Sequence, residues 1–182
     1  MLLKTQKKEN HLYICRMKLT PEQDIWKWIT DYVEANHEFY DYKFPPCPYA
    51  KSARLRGLVD VVVYSSKSKS LFIKNQIYDL IDKKTFDVKI LVFPSAVRWY
   101  FHLHLYIRSL NKKIIKQDYY IQYGRVFDTE VPYFIVIVNR LSNVLSAHQS
   151  LLSTEYYKSW TKKHYKNVVT RRSNMYKKYG IF

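Results

Sequence analysis

Glycine is nearly missing from this chain: 3 residues in 182. That scarcity excludes a glycine-rich phosphate loop of either the dinucleotide or the P-loop kind, since both need backbone that closely approaches phosphate. Cysteine is as scarce. Cys15 and Cys47 are too few for a disulfide scaffold or a structural zinc site, so a reducing, intracellular (cytoplasmic) setting is the default. No apolar run approaches the roughly 18–20 residues that a membrane-spanning helix requires, so no membrane partner is expected. The first ten residues, Met1 to Asn10, lack the apolar stretch and small-residue cleavage site of a signal peptide. Neither H-E-x-x-H nor G-x-S-x-G occurs, and nothing in the pattern calls for a cofactor.

Acidic residues are also in short supply. Asp and Glu number 15 against 31 Lys and Arg, leaving a net charge of +16, and there are 18 tyrosines. A basic excess of this size favours polyanionic partners through counterion release and long-range steering. The plain alternative is an AT-rich coding sequence, which over-supplies Lys and Tyr. A chain of this length forms one domain with a real core.

Short apolar runs supply the strands. Phe86–Phe93, ended by Pro94-Ser95, is apolar at nearly every position, as expected of a strand buried on both faces. Similar runs near 58–64, 118–123 and 131–138 are separated by segments of helical period. The expectation is therefore an α/β domain over 19–182, with a central, mostly parallel sheet and helices packed on it. Residues 1–18 have no clear period and read as a weakly ordered extension, with Met17 a possible alternative start. Thr20-Pro21-Glu22-Gln23 marks a capped helix start, followed by an apolar stripe of Ile25, Trp26, Ile29, Tyr32 and Val33 that should end near Asn36. Further helices are expected over 69–83 and from Leu141, and the strand from Tyr119 is expected to close at Gly124. Residues 96–113 alternate like a strand around His102 and His104, yet Tyr100, Leu103, Ile107, Leu110 and Ile114 recur at helical spacing. The unbroken length favours the helix.

Three constellations bear on function. In Pro45-Pro46-Cys47-Pro48-Tyr49-Ala50-Lys51, Pro48 suits a helix start just after Cys47. A thiol there would sit against exposed amides, near Lys51 and Arg54, which favours the thiolate. Cys-Pro-Tyr resembles a glutaredoxin-type site, but Ala50 stands where the resolving cysteine belongs. The element order from residue 58 resembles a thioredoxin-like domain, with the Cys segment before the first strand instead of after it. A buried small cysteine in a tight turn is the structural alternative. The tryptophan-bearing helix, the Cys-Pro-aromatic-Ala-Lys segment and the valine-rich strand that follows are also similar to an uncharacterised bacterial and phage family with a Cys-Pro-Phe-Ala-Lys motif. That resemblance covers roughly residues 24–93 and touches Arg171-Arg172-Ser173. It implies a small α/β protein and a bacterial or viral origin, but no activity.

His102-Leu103-His104 matches the His-hydrophobic-His pattern of rolling-circle replication nucleases. There, two histidines on one strand hold a divalent metal that activates a phosphodiester for attack by a tyrosine; Tyr157 and Tyr165 lie downstream. On a helix, positions 102 and 104 point about 200° apart and share no metal. His148, on an apolar helix stripe, reads as a hydrogen-bonded core residue.

The third constellation is Tyr156 to Tyr179. It holds Lys158, Lys162, Lys163, Lys166, Arg171, Arg172, Lys177 and Lys178 with no acidic residue, interleaved with Tyr156, Tyr157, Trp160, Tyr165, Tyr176 and Tyr179. Cations that reach phosphates, beside rings that stack on bases, suit non-specific binding of single-stranded nucleic acid. The expected function is thus a nucleic-acid-binding accessory protein. A thiol or redox enzyme centred on Cys47 is the alternative. A non-catalytic viral or interaction component using the aromatic connection 37–49 is a third.

Overall fold

The computed structural model describes residues 19–65, 68–94, 100–126 and 132–179. The expected N-terminal extension, Met17 and Cys15 lie outside the described residues, as does part of the Ser/Lys-rich turn at 65–70.

The first helix, α1 (Pro21–Trp28), starts as its sequence dictates. The Thr20 hydroxyl accepts from the Gln23 amide and the Gln23 side chain accepts from the Thr20 amide, a reciprocal capping box. It then passes into a π-helical turn, Ile29–Val33, in which the Glu34 amide donates to the Ile29 carbonyl, so the helical stretch ends three residues before Asn36. After the aromatic connection comes α2 (Ala50–Leu55). Gly57 closes it at φ +68°, with the Gly57 amide on the Arg54 carbonyl and the Leu58 amide on the Ala53 carbonyl. That paired closure needs a left-handed residue and so favours glycine.

From there the order is β1 (Val59–Val63), α3 (Lys69–Lys83), β2 (Val88–Phe93), α4 (Tyr100–Ile114), β3 (Tyr119–Val126), β4 (Tyr133–Arg140) and α5 (Leu141–Leu152). Residues 96–113 thus resolve in favour of the helix over the described part. The four strands form one sheet in the order β1-β2-β4-β3. Here the expectation of a mostly parallel sheet fails: β1 and β2 are parallel, but β4 is antiparallel to both β2 and β3. The reason is connection length. Helix α3 carries the chain back between β1 and β2, whereas β3 and β4 are too close in sequence for a crossover and form a hairpin. Strand β3 also runs through Gly124 to Val126, paired with Ile135 and Tyr133 of β4, instead of ending at the glycine.

Beneath one face of the sheet, α3 and α4 bury Phe72, Ile73, Ile77, Leu80, Leu103 and Ile107 against Leu91, Phe93, Phe134 and Val136. Against the other face, Ile25 and Ile29 of the first helix meet Val61, Ile90, Val92, Val126 and Ile135. The continuous apolar run of β2 is explained by these two covers, not by an all-parallel sheet. Two polar groups are buried with partners. Lys89 lies 3.2 Å from both Asp60 and Asp79, and the Tyr133 hydroxyl donates to Asp24 at 2.8 Å. Among the described residues, no helix is long and apolar enough to cross a membrane.

The chain after α5 is a broken helical arm: a 3₁₀ turn (Glu155–Tyr157), α6 (Lys162–Tyr165), a second π-helical turn (Lys166–Thr170) and α7 (Arg171–Tyr179).

Candidate functional site

The first helix buries its sheet face around Val61, Ile90, Val92 and Ile135, and Val59, Val88 and Ile137 at the edge of that cluster are only partly buried. From Ile90 outward the face is the floor of a cleft of about 570 Å³, formed by Val59, Val88, Ile90 and Ile137 together with Gln122 and Asn139. One wall is Trp28, Ile29 and Val33, running into the Cys47 turn and α2. The facing wall is α5, and the C-terminal arm closes the rim with Val168, Val169 and Ser173. Both π-helical turns therefore border the cleft, and such turns are frequent at functional sites.

An aromatic cluster ties these walls together. Tyr40 stacks on Tyr156 at 4.7 Å and donates to its hydroxyl at 3.1 Å; the Tyr156 hydroxyl donates to the Pro46 carbonyl at 2.6 Å. Burial first, and then the Tyr40 hydrogen bond, push the Tyr156 phenol well above the usual tyrosine range. Tyr49 donates to the Ala147 carbonyl at 3.0 Å, and His148 Nδ1 lies 2.7 Å from the Tyr157 hydroxyl. The aromatic connection 37–49 is thereby pinned to chain about a hundred residues away.

Cys47 is exposed and lines this cleft. Its expected place at a helix start is not formed. The cap residue of α2 is Tyr49, and the Ala50 amide turns back onto the Cys47 carbonyl at 3.1 Å. Arg54, expected to favour the thiolate, is instead held by Glu34 through two 2.8 Å bonds. Pro46-Cys47-Pro48 forms a tight turn that delays the helix by two residues relative to a start at Pro48.

His102 and His104 sit on α4, where the strand-like sharing of a metal is lost. His102 is exposed, whereas His104 bonds through Nδ1 to the Tyr123 hydroxyl. No group of three or more metal-ligating side chains occurs among the described residues. His148 is hydrogen-bonded to Tyr157 as expected, but it is half-buried and lines the cleft instead of lying in the core.

Along the C-terminal arm, Lys158, Lys162, Lys163, Lys166, Arg171 and Lys177 are all exposed; the side chain of Arg172 lies outside the described residues. Lys158 reaches Glu155 at 3.4 Å, a carboxylate also taken by Lys43 at 3.2 Å. Lys162, Lys163, Lys166, Arg171 and Lys177 make no ion pair with a described residue. A shallow groove of about 380 Å³ collects Lys166, Asn167, Thr170, Arg171, Asn174 and Lys178 on one side of the arm. Trp160 is not an open stacking platform. It packs edge-on to Tyr157 at 5.0 Å and its indole N–H donates to Tyr40 at 3.3 Å.

Sequence reasoning overlooked the cleft and its carboxamides, Gln122, Asn139 and Asn143. The signal was present for the first: Tyr119, Ile121 and Tyr123 alternate with Tyr120, Gln122 and Gly124, placing a polar side chain on one sheet face. Compared with protein-family models, curated proteins and solved structures, the chain gives no significant match.

Proposed function

We propose that the protein binds single-stranded nucleic acid without sequence preference, through the exposed cations of its C-terminal arm. The observation that carries this reading is the set of exposed cations Lys162, Lys163, Lys166, Arg171 and Lys177 along the arm, unpaired with any described carboxylate, two of which, Lys166 and Arg171, line a groove with Asn167, Thr170 and Asn174. Exposed cations gathered on one element, with no acid between them, neutralise phosphates and release counterions. Tyr156, Tyr157, Trp160 and Tyr165 pack against one another in the aromatic cluster, so the reading rests on the cations.

Binding to an oligonucleotide should weaken with salt at a log–log slope of about −0.7 per neutralised phosphate, so four contacts give roughly −3. Replacing Lys162, Lys163, Lys166 and Arg171 by Gln should flatten that slope. Wild-type protein that fails to bind oligonucleotide at low salt overturns the reading.

A second reading keeps the thiol. Both parts of the chain that resemble the Cys-Pro-Phe-Ala-Lys family, the Cys47 turn and the stretch ending at Ser173, border one cleft. That convergence supports a shared site around Cys47. Iodoacetamide should then label native Cys47 faster at neutral pH than the same residue in unfolded chain; slower labelling makes it a packing residue.

A further inference from the structure

We propose that the cleft on the open half of the sheet is a nucleobase site. Its floor is flat and apolar, with Val88, Ile90 and Ile137 side by side on paired strands. Its volume, about 570 Å³, lies within the range of ligand pockets. Into this surface the fold places three carboxamides. Gln122 stands opposite Ile137, and Asn139 lies two residues further along β4, so the two amides are diagonal neighbours on one sheet face. Asn143 follows from the first turn of α5. None of the three side chains hydrogen-bonds to a described residue, and all three retain access to solvent.

The chemistry of the ligand follows from what these groups lack. A carboxamide presents a donor and an acceptor side by side, which matches the lactam or amidine edge of a base. A purely apolar ligand would strip water from three polar groups and return no hydrogen bond. Among the described residues, two arginines line the cleft. Arg140 already faces Asp87 at 3.4 Å, and Arg56 is exposed on the α2 wall with its Nε donating to the Ser52 carbonyl at 3.3 Å. A buried carboxylate or phosphate on the sheet floor would have to displace an existing partner. Trp28 on the wall offers an aromatic surface to a planar ring. The occupant is therefore a neutral planar heterocycle, supplied either as a free nucleoside or as an unstacked base of a bound strand. Only the second source rests on the nucleic-acid reading above.

The test uses the whole chain and the four common ribonucleosides, followed by intrinsic tryptophan fluorescence and saturation-transfer NMR. At least one nucleoside should bind at millimolar concentration or better. Gln122→Met with Asn139→Leu should weaken it at least tenfold while the circular dichroism spectrum is unchanged. If uridine is the binder, N3-methyluridine, which has lost the edge donor, should also lose at least tenfold. Binding of no nucleoside, or binding indifferent to the double variant or to loss of the edge donor, overturns the proposal. An oligonucleotide carrying one abasic site separates the sources. Tenfold weaker binding at an unchanged salt slope assigns the base to a strand, whereas no difference assigns the site to the free nucleoside. Salt-dependent oligonucleotide binding without any nucleoside binding would defeat the cleft site and leave the C-terminal reading intact; the opposite result would do the reverse.

Discussion

The two faces of the sheet are built on different principles. Under α3 and α4 the face is closed: Leu91, Phe93, Ile77, Ile107 and Val136 are each fully buried, and the rings of Tyr64, Phe72, Phe93 and Phe134 interlock. On the opposite side, one eight-residue helix and a π-helical turn cover part of the face, and the rest is walled by the Cys47 turn with α2, by α5 and by the broken arm. The closed face is held by contacts whose removal leaves a void. The open one keeps an apolar cluster under the first helix, Ile25 and Ile29 on Val61, Val92 and Ile135, and its walls are tied by hydroxyl-to-carbonyl bonds between segments distant in sequence. One side supplies stability and the other supplies a shaped surface.

The largest effect should come from truncating the closed side. Leu91→Ala removes a side chain with no exposure and should cost about 2–5 kcal/mol in urea unfolding. Ile137→Ala, on the same sheet but bordering the cleft, should cost nearer 1 kcal/mol, since solvent already reaches the site and little cavity is created. Equal losses would break the comparison and mean that the second face is closed in solution.

Tyr156 tests the open side by pH. Its folded-state phenol is raised far above the unfolded value of about 10, because burial and the Tyr40 hydrogen bond oppose the phenolate. A raised folded value means full stability below pH 10 and a loss above it, as the unfolded chain begins to ionise. The slope is about 1.4 kcal/mol per pH unit for one group. Tyr156→Phe should lose about 1 kcal/mol at pH 7 for the bond to Pro46, and its stability should fall less steeply than wild type above pH 10. Parallel alkaline profiles for the two proteins would contradict the burial of that hydroxyl.

A smaller effect is expected at Asp79 on the closed side. Its carboxylate is held below the usual range, first by Lys83 and then by Lys89. The sign is opposite to that of Tyr156: the contribution is present above about pH 4 and disappears as pH falls through the lowered folded value. With the side chain 39% exposed, solvent screening keeps it to a few tenths of a kcal/mol. Asp79→Asn should therefore narrow the difference in stability between pH 5 and pH 2 only slightly.

The contrast between the faces was half legible in the amino-acid order. The period of 3.6 located α3 and the apolar side of α4, because one-sided burial imposes it, and unbroken apolar runs located β2 and β4, which are buried on both faces. Thr20 and Gln23 announced the start of the first helix through a purely local bond. Strand direction was not legible: apolar content reports burial, and β2 is buried on both faces in a mixed sheet as it would be in a parallel one. The cleft was not legible either, because it depends on what fails to cover Ile137 and Asn139, and that is set by elements over a hundred residues away. The Cys47 turn misled for a local reason. Pro48 can begin a helix, but the turn from Cys47 to Ala50 postpones that start and leaves Arg54 to Glu34.

The smallest effect on stability should accompany one of the largest on function, and it bears on the outer side of the C-terminal arm. Lys162, Lys163, Lys166 and Arg171 are exposed and make no ion pair with a described residue. Their neutralisation removes no contact and relieves repulsion in a chain of net charge +16. The quadruple change to Gln should leave the unfolding free energy within about 0.5 kcal/mol of wild type, and it should be neutral or slightly stabilising at low salt, where repulsion is least screened. Val169→Ala, two residues from Arg171 but 6% exposed and turned to the cleft, should cost about 1–2 kcal/mol. The pair of variants divides the arm into an outer side that carries charge and an inner side that carries packing. If the Gln variant were destabilised by more than Val169→Ala, the cations would be structural, and the division between a stabilising core and a surface free to bind would fail at the arm.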